Sequence, residues 1–92
     1  MRQAAPTAIH TLAPLLAEVR RGLALGVIER KPGTFYRKGA GLLHFHEDPA
    51  GFFVDLKIDS AWHRFPVNLP EETATFLSTW RRTLAALTKA GE

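Results

Sequence analysis

The chain contains no cysteine. That removes disulfides, thiolate metal ligands and a thiol nucleophile, and with no sign of an oxidising compartment the cytoplasm is the expected location. Serine is scarce: Ser60 falls in a turn and Ser78 in a helical stretch, and neither has the setting of a nucleophile elbow. The longest mainly apolar run, residues 12 to 27, is interrupted by Glu18, Arg20 and Arg21, which excludes a membrane span there. The first residues also lack the basic-then-apolar pattern of an export signal. Lys31-Pro32-Gly33 and Lys38-Gly39-Ala40-Gly41 precede no helix, so they read as turns and not as phosphate cradles. Nor is there a block of like charge. The formal charge of +3 and pI near 9.8 come from cations scattered over Arg20, Arg21, Arg30, Lys31, Arg37, Lys38, Arg81 and Arg82. This permits nucleic acid as a partner without requiring it.

What is present is an ordinary globular composition, 46% hydrophobic and 23% charged over 92 residues, enough for a single domain with one modest core. Residues 1 to 6 read as a flexible leader. A helix follows, capped by Thr11 or started a turn earlier at Thr7, in which case Pro14 disturbs its interior. Leu12, Leu15, Leu16, Val19 and Leu23 form its buried stripe. Gly22 weakens its last turns, and Gly26 is a left-handed stop. Residues 27 to 31 are either an edge strand or an extended link.

Strands are expected over 34 to 37, 42 to 46, 52 to 58 and 63 to 69, with Pro66 marking an edge because it cannot donate to a ladder. Asn68 with Glu71 resembles a capping box for a second helix. Phe76, Leu77, Trp80, Leu84 and Leu87 supply its buried stripe, Arg81, Arg82 and Lys89 its wet side, and Gly91 its end. The expected fold is α+β: helix, antiparallel meander of three or four strands, helix, with both helices on one face of the sheet.

Because strand side chains alternate, matching the apolar sets fixes which residues share a face. Pairing Phe35 with Leu43, Leu43 with Leu56 and Phe45 with Val54 makes one apolar face, extended by Leu56 with Phe65 and Val54 with Val67. The other face then carries His44 opposite Asp55, His46 opposite Phe53 and Lys57 opposite Arg64, joined by Tyr36, Thr34, Leu42 and Trp62. With the helices on the first face, nothing in the chain covers this second one, and its aromatic content points to a ligand or a second subunit.

Three chemistries compete for the second face. His44 and His46, two apart on a strand, point the same way and with Asp55 could ligate a divalent transition metal such as zinc; the competing reading is a cross-strand His–Asp pair. Asp55 could instead orient His44 for acid/base work, with Tyr36 or Arg64 stabilising developing charge. Exposed rings among Arg64 and Lys57 could stack single-stranded bases. Glu47-Asp48 is better explained as turn chemistry, with Asp-Pro-Ala-Gly reversing the chain.

Lys31-Pro32-Gly33-Thr34-Phe35-Tyr36, Leu42-Leu43-His44-Phe45-His46-Glu47-Asp48 and Gly51-Phe52-Phe53-Val54-Asp55-Leu56 resemble segments of small bacterial proteins of no assigned function. The resemblance covers about residues 30 to 67 and implies no activity, cofactor or ligand. The expectation is a protein that works by self-association through Tyr36, His44, His46, Phe53, Asp55, Lys57, Trp62 and Arg64, rather than by catalysis.

Overall fold

A computed structural model describes residues 2–23 and 26–89. Gly91, expected to end the last helix, lies outside them, as do Met1 of the leader and the side chain of Lys89. The order is β1 (Arg2–Gln3), α1 (Pro6–Thr11), α2 (Ala13–Arg21), β2 (Val27–Lys31), β3 (Thr34–Arg37), β4 (Ala40–Asp48), β5 (Gly51–Ile58), β6 (Ala61–Pro66) and α3 (Pro70–Lys89). The fold is α+β, with one antiparallel sheet of order β2-β3-β4-β5-β6. It is wider than the three or four strands expected, because residues 27 to 31 join as an edge strand and β1 pairs with the far half of β4.

Short turns set the meander. Lys38 and Gly39 both take positive φ between Arg37 and Ala40, and Asp59 and Ser60 do the same between Ile58 and Ala61. These two-residue reversals match the right-handed twist of the strands they join. At the β4–β5 turn the Asp48 carboxylate accepts from the Ala50 amide at 2.9 Å. At Pro32-Gly33 the chain reverses with Gly33 at φ +80, its amide donating to Glu29 Oε2 and its carbonyl accepting from Phe45 N.

The first helix is interrupted at Leu12, which ends α1 and precedes α2. Pro14, in the first turn of α2, lacks the amide an unbroken helix needs. Neither expected cap is used: Ala5 and Leu12 precede the two helices without a side-chain capping bond, and the Thr11 hydroxyl donates to the Thr7 carbonyl inside α1. Gly22, not Gly26, closes α2. At α3 the expected roles of Asn68 and Glu71 move: Glu72 accepts from the amides of both Asn68 and Leu69, while the Asn68 side chain holds Phe52 N and O. Within the leader expected over residues 1 to 6, residues 3 to 5 are held by the sheet. Ala4 is buried and donates its amide to Phe45 O, Ala5 donates to Glu47 Oε1, and Gln3 donates to Thr34 Oγ1.

One apolar cluster holds the fold. Ala8, Leu12, Leu15, Leu16 and Val19 from the first helices, and Phe76 and Trp80 from α3, close on Phe35, Leu43, Phe45, Val54 and Leu56. These strand residues share a face through the registers Phe35↔Leu43↔Leu56 and Phe45↔Val54, as the alternation requires. Between β5 and β6 the register is two residues from that expected. Val54 faces Phe65 and Leu56 faces His63, so neither the Leu56–Phe65 nor the Val54–Val67 pairing forms. The tight Asp59-Ser60 turn starts β6 at Ala61 and sets this register.

Candidate functional site

The sheet's other face is read best as rows of residues crossing the strands. One row runs Ile28, Tyr36, Gly41 on β2, β3 and β4, and Lys57 pairs with Trp62 on β5 and β6. The next holds Thr34, His44, Asp55 and Arg64, and the third holds Gln3, His46, Phe53 and Pro66. All eight residues singled out from the sequence therefore occupy this face. The Lys57–Arg64 pairing does not form, since Lys57 faces Trp62 and Arg64 faces Asp55. Leu42 leaves the face: the register shift between Phe35 and Tyr36 makes it an extra residue on β4, and it is buried in the core cluster at 6% exposure.

The first two rows meet in an aromatic group centred on His44. Its ring lies 5.0 Å from Trp62 and 5.9 Å from both Tyr36 and His46. Gly41 makes room, because a Cβ there would come within 3.1 Å of His44 Nε2 and 3.4 Å of the Trp62 ring. Cations sit against the outer rings, Arg30 over Tyr36 at 4.8 Å and Lys57 over Trp62 at 5.0 Å. Burial pushes the His44 imidazole below its ordinary value; His46 and Lys57 add to this and Asp55 opposes it. Its Nε2 is buried with no hydrogen-bond partner among the described residues.

Asp55 is engaged elsewhere. Arg64 donates to it through both arms, at 2.7 and 2.8 Å, and this hydrogen bonding holds the carboxyl below the ordinary carboxylate value despite partial burial. His46, not the directly opposite His44, makes the imidazole contact, with Nε2 3.2 Å from Asp55 Oδ2 and Nδ1 donating to the Arg2 carbonyl oxygen at 3.1 Å. His44, His46 and Asp55 share the face but their nitrogens and oxygens do not converge on a common point. Among the described residues no group of three or more His, Asp or Glu side chains is placed to hold a metal ion. The orienting contact that acid/base chemistry at His44 requires is likewise made to His46.

Two members of the face escaped the sequence. Ile28 and Arg30 belong to a stretch whose participation in the sheet was open. Simple counting back from the Pro32-Gly33 turn would set Glu29 opposite Tyr36, but a bulge between Glu29 and Lys31 sets Ile28 there instead. No signal in residues 27 to 31 announces that bulge.

Fold and site together define a small α+β domain: an antiparallel sheet with its core on one face and an aromatic, histidine-bearing and cationic surface on the other. No family model, curated protein or solved structure matches the chain. No helix among the described residues is long and apolar enough to cross a membrane.

Proposed function

We propose that this chain works in the cytoplasm by association, as a homodimer formed through the open sheet face, and not as a catalyst. The observation that carries the reading is the placement of Ile28 and Trp62. They are 57% and 45% exposed, they are among the largest apolar groups left in solvent, and they stand on the same face as Tyr36. An apolar patch of this kind, rimmed by charge, is the usual mark of a protein interface. Sedimentation velocity from micromolar to millimolar protein tests it. Sedimentation should rise with concentration for the natural chain and stay at the monomer value for Trp62→Asp; a monomer at every concentration refutes the reading.

A second reading, single-stranded nucleic acid on the same face, is favoured by the cations that lie against Tyr36 and Trp62. It predicts salt-dependent binding of an oligonucleotide that weakens in Lys57→Ala. Retardation that is absent, or unchanged by that substitution, removes it.

A further inference from the structure

On the core side of the sheet, α2 and α3 leave between them a cavity of about 270 Å³ lined by Glu18, Arg21, Gly22, Trp80, Arg81 and Leu84. Its inner wall is a buried indole. Trp80 is 1% exposed, and its Nε1 has no hydrogen-bond partner. The nitrogen edge of the ring faces Gly22: Nε1 lies 3.7 Å from where a Gly22 Cβ would stand, and Leu84 Cδ1 lies 3.0 Å from the same point. The backbone acceptor nearest that point, Val19 O, is taken by the Gly22 amide at 3.2 Å, and Arg20 O is taken by the Leu23 amide. A buried N–H with no acceptor is costly, and folded proteins leave few of them.

The rim of the cavity supplies charge for an acceptor that is anionic. Arg21 and Arg81 converge from the two helices on the single carboxylate of Glu18, each through one arm, at 3.2 and 3.7 Å. Elsewhere in the molecule arginine is held more tightly: Arg20 on Glu29 and Arg64 on Asp55 each bond through two nitrogens at 2.7 to 2.8 Å. Two guanidinium groups sharing one carboxylate leave an excess positive charge and unfilled donor forks, the geometry that matches carboxylate and phosphate oxygens. We propose that this cavity binds a small oxyanion, a carboxylate or a phosphate group, with one oxygen accepting from Trp80 Nε1 and the charge shared by Arg21 and Arg81. The site lies on the opposite side of the sheet from His44 and Trp62 and is independent of association through that face.

Size and access follow from the lining. At about 270 Å³ the cavity is smaller than the roughly 300 Å³ at which sites for drug-sized ligands begin, so a free ion or a small acid fits and a nucleotide does not. Leu84 is the cover. It packs half-buried against the core, and turning its methyl away from Gly22 opens the way from the arginines to the indole nitrogen. Gly22 keeps that way clear, because any side chain there would stand between Leu84 and Nε1.

The probes are sodium phosphate and sodium acetate, added to the full chain at an ionic strength held constant with sodium chloride. The readout is the indole N–H resonance of Trp80 in the isotope-labelled protein, told from that of Trp62 by Trp62→Phe. One or both anions should move the Trp80 resonance downfield along a saturating curve, and the anion that does so identifies the group as carboxylate or phosphate. Arg21→Gln combined with Arg81→Gln should raise the half-saturation concentration about tenfold or more. Gly22→Ala should abolish the shift while circular dichroism shows its helix content intact. Should Gly22→Ala fail to fold, the arginine pair decides, since both side chains are largely exposed. A Trp80 resonance that neither anion moves beyond the effect of chloride overturns the proposal and leaves the indole to water; a saturation curve unchanged in the double arginine variant also overturns it.

Discussion

Gly33→Ala is the substitution whose cost can be worked most fully from the structure. Gly33 is buried at φ +80, and an added Cβ would lie 2.8 Å from Ile9 Cδ1 and 3.1 Å from Phe45 Cβ. Ile9 can swing its terminal methyl away, whereas Phe45 Cβ is fixed by a strand. The backbone cannot retreat either, since the Gly33 amide is bonded to Glu29 and its carbonyl to Phe45 N at 2.8 Å. A non-glycine residue in the left-handed region costs about 1–2 kcal/mol, and overpacking a buried site adds about 1–3 kcal/mol. Lower chain entropy in the unfolded state returns about 0.4–1 kcal/mol. The net loss is about 1–5 kcal/mol, against the roughly 5–14 kcal/mol expected for a domain of this length, with each kcal/mol equivalent to roughly 4–8 °C in Tm. Gly39→Ala is the control, because Gly39 has φ +79 but nothing within 4 Å of its added Cβ. Urea unfolding followed by Trp fluorescence, both variants at one low protein concentration, should place Gly33→Ala below Gly39→Ala by about 1–3 kcal/mol. Two variants within about 0.5 kcal/mol of each other would refute the packing argument.

Two further predictions concern pH. The His44 imidazole is depressed in the fold, so the unfolded chain takes up that proton first: stability is full above the ordinary value of 6.5 and declines as pH falls below it towards the folded value. His44→Gln should flatten this decline in a series of urea titrations between neutral and mildly acidic pH; an unchanged slope counts against a buried neutral His44. The Asp55 carboxyl is also depressed, chiefly by the Arg64 hydrogen bonds, so its contribution is present above 3.8 and is lost as pH falls through the lower folded value. Asp55→Asn should therefore lose stability at neutral pH and converge with the natural chain in strong acid, as circular dichroism at a range of acid pH values would record.

The hydrophobic pattern revealed the centre of the sheet because the pairings of β4 with β3 and β5 are set by sharp contrasts between faces. Leu43 and Phe45 alternate with His44 and His46, and Val54 and Leu56 alternate with Asp55 and Lys57. A one-residue slip there would bury charge. The same pattern is blind to a slip of two, which keeps every side chain on its face, and that is how Phe65 came to be set against Leu56 instead of Val54. Only the positive φ values at Asp59 and Ser60 decide between them, and neither is a glycine that would announce such a turn. Bulges at Arg30 and Leu42 were hidden for a related reason: an extra residue changes the face of its neighbours without changing the composition of the stretch. At the site, the residue types and their shared face were legible. Which histidine reaches Asp55 was not, since it depends on rotamers set by Trp62, Gly41 and the returning N-terminal segment.

The outer side of β4 is closed by two separated pieces of chain, and this fixes an order of assembly. Phe45 donates its amide to Gly33 and accepts at its carbonyl from Ala4, so one residue stitches a local hairpin to the far end of the sequence. The four hairpins of the meander close loops of a few residues. Docking of β1 closes a loop of about 40, and on a logarithmic scale that costs about 2 kcal/mol more in chain entropy. The hairpins therefore zip first and the N-terminal segment seals last. The seam that forms last is also the first to open, and when it does the half of β4 beside His46 becomes a bare strand edge that any extended chain of the right register can occupy.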